Sequence, residues 1–161
     1  MKQASVDTAI AALVAAGLVD SSTIQGCKEA EISTLETRLG IRLPRSYRSF
    51  LAAMGRAAGT FLVGTDILYS LLPTLRRQAE RLLTECGGSL ALDPADFVFA
   101  VHQGYEFLFF TCGASDDPPV FLYEEGEATF RRVAETFSSW FASCAQDEIA
   151  SAAEIRLRRP Q

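Results

Sequence analysis

Three runs in the second half of the chain, DFVFAV, YEFLFF and PVFLYEE, restrict the fold more than any other feature. They are rich in aromatic and β-branched residues, and turn chemistry separates them: HQG (His102, Gln103, Gly104) after the first, GASDDPP after the second. Runs of this kind read as consecutive antiparallel strands. Simple alternation puts Phe97, Phe99 and Val101 on one face of the first strand, and Val98 and Ala100 on the other. Both faces are apolar, so the spacing predicts a central strand pair.

The remaining apolar residues follow a helical period. Ile10, Leu13, Val14 and Leu18 define one face of an alanine-rich segment, Thr8–Val19. That segment is too short to span a bilayer, and Asp7 stands where a secretory leader carries a basic flank. We read it as a helix packed on the domain. KEAEISTLETRLG spaces Ile32, Leu35 and Leu39 as a helix, with Gly40 placed to end it in a left-handed conformation. Leu43 precedes proline and is biased away from helix, whereas Pro44 suits the first helical position. Tyr47, Phe50, Leu51 and Met54 form the next stripe, closed by Gly55. TFLV reads as a short strand. PTLRRQAERLLTECGG turns Leu75, Ala79, Leu82 and Leu83 inward and Arg76, Arg77, Glu80 and Arg81 outward. ETFSSWFASC closes the domain with Phe137, Trp140, Phe141 and Cys144, and the basic EIRLRRPQ is expected to be a loose tail.

These elements predict an α+β domain, an antiparallel or mixed sheet with helices packed mainly on one face. Residues 1–26 form an N-terminal helix and loop, 27–146 the main domain and 147–161 a tail. The chain has 161 residues, 48% of them hydrophobic, which excludes a disordered chain. Its net charge of -5 excludes a nucleic-acid binder by bulk charge.

Cys27, Cys86, Cys112 and Cys144 are far apart, and none belongs to a CxxC pair. With His102 the only histidine, no metal is expected, and the cysteines read as reduced thiols of a cytoplasmic protein. No phosphate loop or dinucleotide fingerprint is present, so no cofactor is expected either. His102 would need a serine or cysteine beside it to act as a general base. No nucleophile sits on a recognisable elbow, and the chain is read as non-enzymatic.

The charge pattern suggests a binding surface. From Asp93 to Phe130 there is no lysine or arginine, and eight acids occur: Asp93, Asp96, Glu106, Asp116, Asp117, Glu124, Glu125 and Glu127. Carboxylates beside aromatic strands suit docking on a basic protein surface and would speed association. The same acids would also keep strand edges soluble. Candidate contacts are Asp93, Asp96, Glu106, Asp116, Asp117, Glu124 and Glu125, with Tyr105 and Tyr123 as aromatic anchors. Asp116 and Asp117 also read as a turn before Pro118. Arg38, Arg42, Arg45 and Arg48 lie in mixed charge and read as a solvated face.

The stretch EISTLETRLGIRLPRSYRSFLAAMG resembles the signature of the SUKH superfamily. The matching positions are Ile32, Leu35, Glu36, Leu39-Gly40, Leu43-Pro44, Tyr47 and Phe50-Leu51. FVFAVHQGYEFLFF, DDPPVFLYEEG and TFSSWF are similar to its strand region and closing helix. Many members have Asn-Gly where this chain has Met54-Gly55. The superfamily includes fungal cell-wall-assembly regulators and bacterial immunity proteins. The resemblance implies an α+β fold and a protein-binding role, commonly neutralisation of a secreted toxin, often a nuclease or nucleic-acid deaminase. The alternative is an intracellular regulatory adaptor with no toxin partner. Neither direct nucleic-acid contact nor membrane association is expected.

Overall fold

The computed structural model describes residues 5–159. The order is α1 (Val6–Ala15), β1 (Ile24–Gln25), α2 (Glu29–Leu39), α3 (Arg45–Met54), β2 (Ala57–Ala58), β3 (Thr65–Asp66), α4 (Leu72–Glu85), β4 (Asp96–His102), β5 (Glu106–Thr111), β6 (Val120–Glu124), β7 (Arg131–Ala134) and α5 (Phe137–Arg158). β1 and β2 form a small antiparallel pair. The main sheet is antiparallel, in the order β3-β4-β5-β6-β7. The fold is α+β, as the sequence implies. No helix among the described residues is long and apolar enough to cross a membrane.

Sequence logic sets the α2–α3 corner. Gly40 ends α2 at φ 65°, a conformation that costs glycine little. Leu43 then donates its N–H to the Glu36 carboxylate at 2.8 Å. The other oxygen of Glu36 meets Arg48 at 2.6 Å, and Arg48 also pairs with Glu29. Arg48 is therefore half-buried and paired rather than part of a solvated face. The hydrogen bond to Glu36 leads the interactions that hold its guanidinium pKa above the usual arginine value. Pro44 stands just before the first helical residue of α3, one place earlier than expected. Leu39 is 40% exposed and so is not core, unlike Ile32, Leu35, Leu43, Tyr47, Phe50 and Leu51.

Tyr47 is the centre of the aromatic core. Its ring lies 5.2 Å from Phe110, 5.3 Å from Phe137 and 5.4 Å from Phe97, all edge-on. These contacts join α3, α5 and the sheet, and edge-to-face pairs add to the burial energy. The Tyr47 hydroxyl is buried without a hydrogen-bond partner, and burial pushes its pKa well above the usual tyrosine value.

α3 and α5 cover one face of the sheet, and α1 packs on both of them. α4 lies on the opposite face of β4. The register there differs from simple alternation. Between Val98 and Ala100 the β4–β5 ladder shifts, because Val98 faces Phe109 and Ala100 faces Leu108. Phe99 is the extra residue of a bulge, which reverses the phase of the residues after it. Phe97 and Phe99 stay on the α5 side, where Phe99 stacks on Phe110 and meets Phe137 edge-on, and Phe97 packs against Phe110. Ala100 joins them there, beside Leu108, Trp140 and Cys144. Val101 moves to the α4 side, beside Ala79 and Leu82.

Three further expectations are corrected. Residues 60–63, TFLV, are a turn, with Leu62 at φ 57° between Gly59 and Gly64, both also left-handed. Two-residue strands flank that turn instead. In α1 the buried stripe is Val6, Ala9 and Leu13; Val14, about 100° round the helix from Leu13, is 47% exposed, and Leu18 lies beyond the helix, which ends at Ala15. The basic tail continues α5 as helix through Arg158, and Pro160 and Gln161 lie outside the described residues.

Candidate partner-binding surface

An antiparallel meander returns to the same end of the sheet at every second turn, so acids close in sequence separate in space. Asp96 pairs with Thr111 at one end of β4, and His102 pairs with Glu106 at the other. At about 3.3 Å per residue these ends are roughly 20 Å apart. The acid-rich segment therefore splits into two groups, and the expected continuous strip does not form.

The group at the Asp96 end serves the fold. Asp96 is 9% exposed and accepts from Asp93 N–H at 2.8 Å and Thr111 Oγ1 at 2.7 Å. Arg76 of α4 donates to the Asp93 and Asp96 carbonyls at 3.1 and 2.8 Å, so it too is not simply solvated. Asp117 accepts the N–H of Ser138 at 2.9 Å, at the start of α5. Asp116 lies 3.6 Å from Arg45, with both side chains exposed. Asp93 and Asp116 remain at the surface, but Asp96 is withdrawn from it by its own hydrogen bonds and is not a docking contact. Tyr123 is corrected for a similar reason. It is 2% exposed, with its ring against Phe107 at 5.3 Å and Phe130 at 6.1 Å.

The second group gathers at the β4–β5 hairpin. Gln103 (φ 48°) and Gly104 (φ 80°), both left-handed, are the central residues of a turn that the Tyr105 N–H closes on the His102 carbonyl at 3.2 Å. Tyr105 comes next, 37% exposed, and its carbonyl accepts from Glu125 N–H at 2.8 Å. That bond ties the end of β6 to the hairpin. Glu106 and Glu124 are direct cross-strand partners and so point to the same face. Like charges placed opposite one another destabilise a sheet. Arg131 approaches Glu124 at 3.9 Å, whereas Glu106 has no salt bridge among the described residues. Glu125 and Glu127 are exposed beside them.

Next to Glu106 a groove of about 220 Å³ opens between β5, α5 and the Gly59–Gly64 turn. Its walls include Leu62, His102, Leu108, Trp140 and Cys144. His102 Nδ1 lies 2.9 Å from Thr65 Oγ1, and its ring meets Tyr105 edge-on at 5.7 Å. Burial, and then the Asp147 charge, pushes the Cys144 thiol up to about 12, which disfavours the thiolate a nucleophile needs. The groove is not visible to sequence reasoning. It depends on the bulge at Phe99 and on a turn whose residues read as strand.

A family model described as SMI1 / KNR4 family (SUKH-1) matches residues 26–143. A search of curated proteins gives no match. The matched span runs from just before α2 into the first turns of α5 and contains both the signature corner and the acidic hairpin end. With nearly three quarters of its length matched, the chain belongs to the SMI1 / KNR4 (SUKH-1) family.

Proposed function

We propose that this chain is a non-enzymatic bacterial immunity protein that neutralises a secreted toxin by covering its basic surface. The contact is the hairpin end of the sheet: Tyr105, Glu106, Glu124, Glu125 and Glu127. One observation carries the reading. Glu106 and Glu124 oppose each other across neighbouring strands, and Glu106 is left without a cation among the described residues. A cationic partner surface would relieve that repulsion, which gives the arrangement a use that solubility alone does not require. A nuclease or nucleic-acid deaminase offers such a surface, because its site holds phosphates. The four cysteines are free thiols, which fits action in the cytoplasm.

The test compares charge reversals at the two ends of the sheet. Glu106→Lys, Glu124→Lys and Glu125→Lys are combined in one protein, Asp93→Lys and Asp116→Lys in another. Each is titrated calorimetrically against the partner toxin domain, sought among the products of neighbouring genes and by capture from the native cell. The reading expects the first to lose binding by at least about a hundred-fold and the second to bind as the parent does. Equal binding by parent and triple variant, both folded, would overturn it.

A further inference from the structure

The groove beside Glu106 supports a more specific statement, which rests on the binding role just described. Its walls are apolar at Leu62, Leu108 and Trp140, and the Glu106 carboxylate stands at its margin. No lysine or arginine lines it among the described residues. A carboxylate with no salt bridge, an indole and an aliphatic wall in one cleft match a long side chain with a cationic end. Guanidinium fits better than ammonium. It is planar, donates two parallel hydrogen bonds to a carboxylate, stacks on aromatic rings and is more weakly hydrated. We propose that this groove receives one arginine side chain of the partner protein. Its methylenes lie against Leu62 and Leu108, and its guanidinium lies on Glu106 beside the Trp140 ring.

The arrangement makes Glu106 the charged anchor and Trp140 its aromatic companion, and tryptophan and arginine are among the residue types that concentrate binding energy at protein interfaces. The Gly59–Gly64 turn forms the third wall. Its Val63 is 74% exposed, so a bound partner would cover an apolar residue that the free protein leaves in water.

The chain has one tryptophan and one histidine, so the Trp140 indole and His102 ring resonances are unambiguous reporters. The labelled protein is titrated with N-acetyl-arginine-amide, and separately with the citrulline and lysine counterparts. Arginine is expected to shift both reporters saturably. Citrulline, the uncharged isostere, is expected to bind about ten-fold more weakly, because the charge-assisted hydrogen bond is lost. Lysine is expected to fall between them. Glu106→Gln should abolish the preference for arginine over citrulline. Equal shifts with arginine and citrulline on the parent protein overturn the proposal, and that arm does not depend on any variant folding. If arginine fails to seat while the triple reversal still abolishes toxin binding, the arginine assignment falls and the immunity reading stands. If arginine seats but toxin binding ignores the reversal, the groove assignment stands and the immunity reading falls.

Discussion

Asp117 Oδ1 accepts the backbone N–H of Ser138 at 2.9 Å, so a loop carboxylate from the meander holds the first turn of α5. Thr136 caps the same turn through Ser139 N–H at 3.0 Å. Negative charge at a helix N-terminus is favourable, and an amide without an acceptor is not. Asp117→Ala is expected to destabilise the protein by about 1 kcal/mol in urea unfolding. Asp116→Ala, one residue away on an exposed ion pair, should change stability by less than about 0.5 kcal/mol.

The Tyr47 hydroxyl offers a test of opposite sign. It is buried without a partner, among rings that need only its aromatic body. Tyr47→Phe removes an unsatisfied polar group without changing shape, and should raise stability by about 1 kcal/mol. Tyr47→Leu should lower stability, because Phe97, Phe110 and Phe137 lose their common contact.

Gly26 passes tightly beside α3. A Cβ there would sit 1.7 Å from the Ala52 carbonyl oxygen. The neighbouring Cys27 N–H donates to Leu51 at 2.8 Å, which pins the segment in place. Gly26→Ala should therefore cost at least about 2 kcal/mol, measured by thermal unfolding, although its φ is not left-handed.

Glu31 predicts part of the acid response. Its carboxylate pKa is held below the usual glutamate value by its hydrogen bond to Arg56, then by the Lys28 N–H, which it accepts at 2.8 Å. A carboxyl whose folded value is depressed stabilises the protein at pH above its unfolded value. That contribution disappears as pH falls through the folded value. Glu31→Gln should flatten the acid limb of the stability–pH curve below about pH 4.5, and leave the shape of the curve above about pH 6 unchanged.

At the candidate contact, binding and stability are expected to oppose each other. Glu106→Gln removes the like-charge pairing with Glu124 and should stabilise the free protein by roughly a few tenths of a kcal/mol. Under the proposed function, the same change should weaken binding of the partner. A residue kept only for solubility would not show this pairing of effects.

The helices are legible where an apolar stripe of helical period stands near a glycine or proline, but the buried face of α1 and the second half of α5, which reads as a loose tail, are not. The signature corner, Glu36 to Tyr47, can be read almost residue by residue. Three parts cannot. Arg131 and Arg132 carry no strand pattern, yet β7 forms because β6 offers it backbone partners. The bulge at Phe99 inserts a residue with no local mark in the sequence, and it moves Ala100 and Val101 to the faces opposite those expected. In the acidic segment, charge counted along the chain misleads, because a meander sends neighbouring turns to opposite ends. Glu106 and Glu124, about eighteen residues apart, meet; Asp96 and Glu106, about ten apart, do not.

α1 precedes the family match and the later turns of α5 lie beyond it, yet Arg156 reaches across to the Ala16 carbonyl at 3.3 Å. The two flanking additions thus brace one another, clasping the family domain from outside. Deleting α1 will therefore loosen the last turns of α5, and deleting those turns will loosen α1.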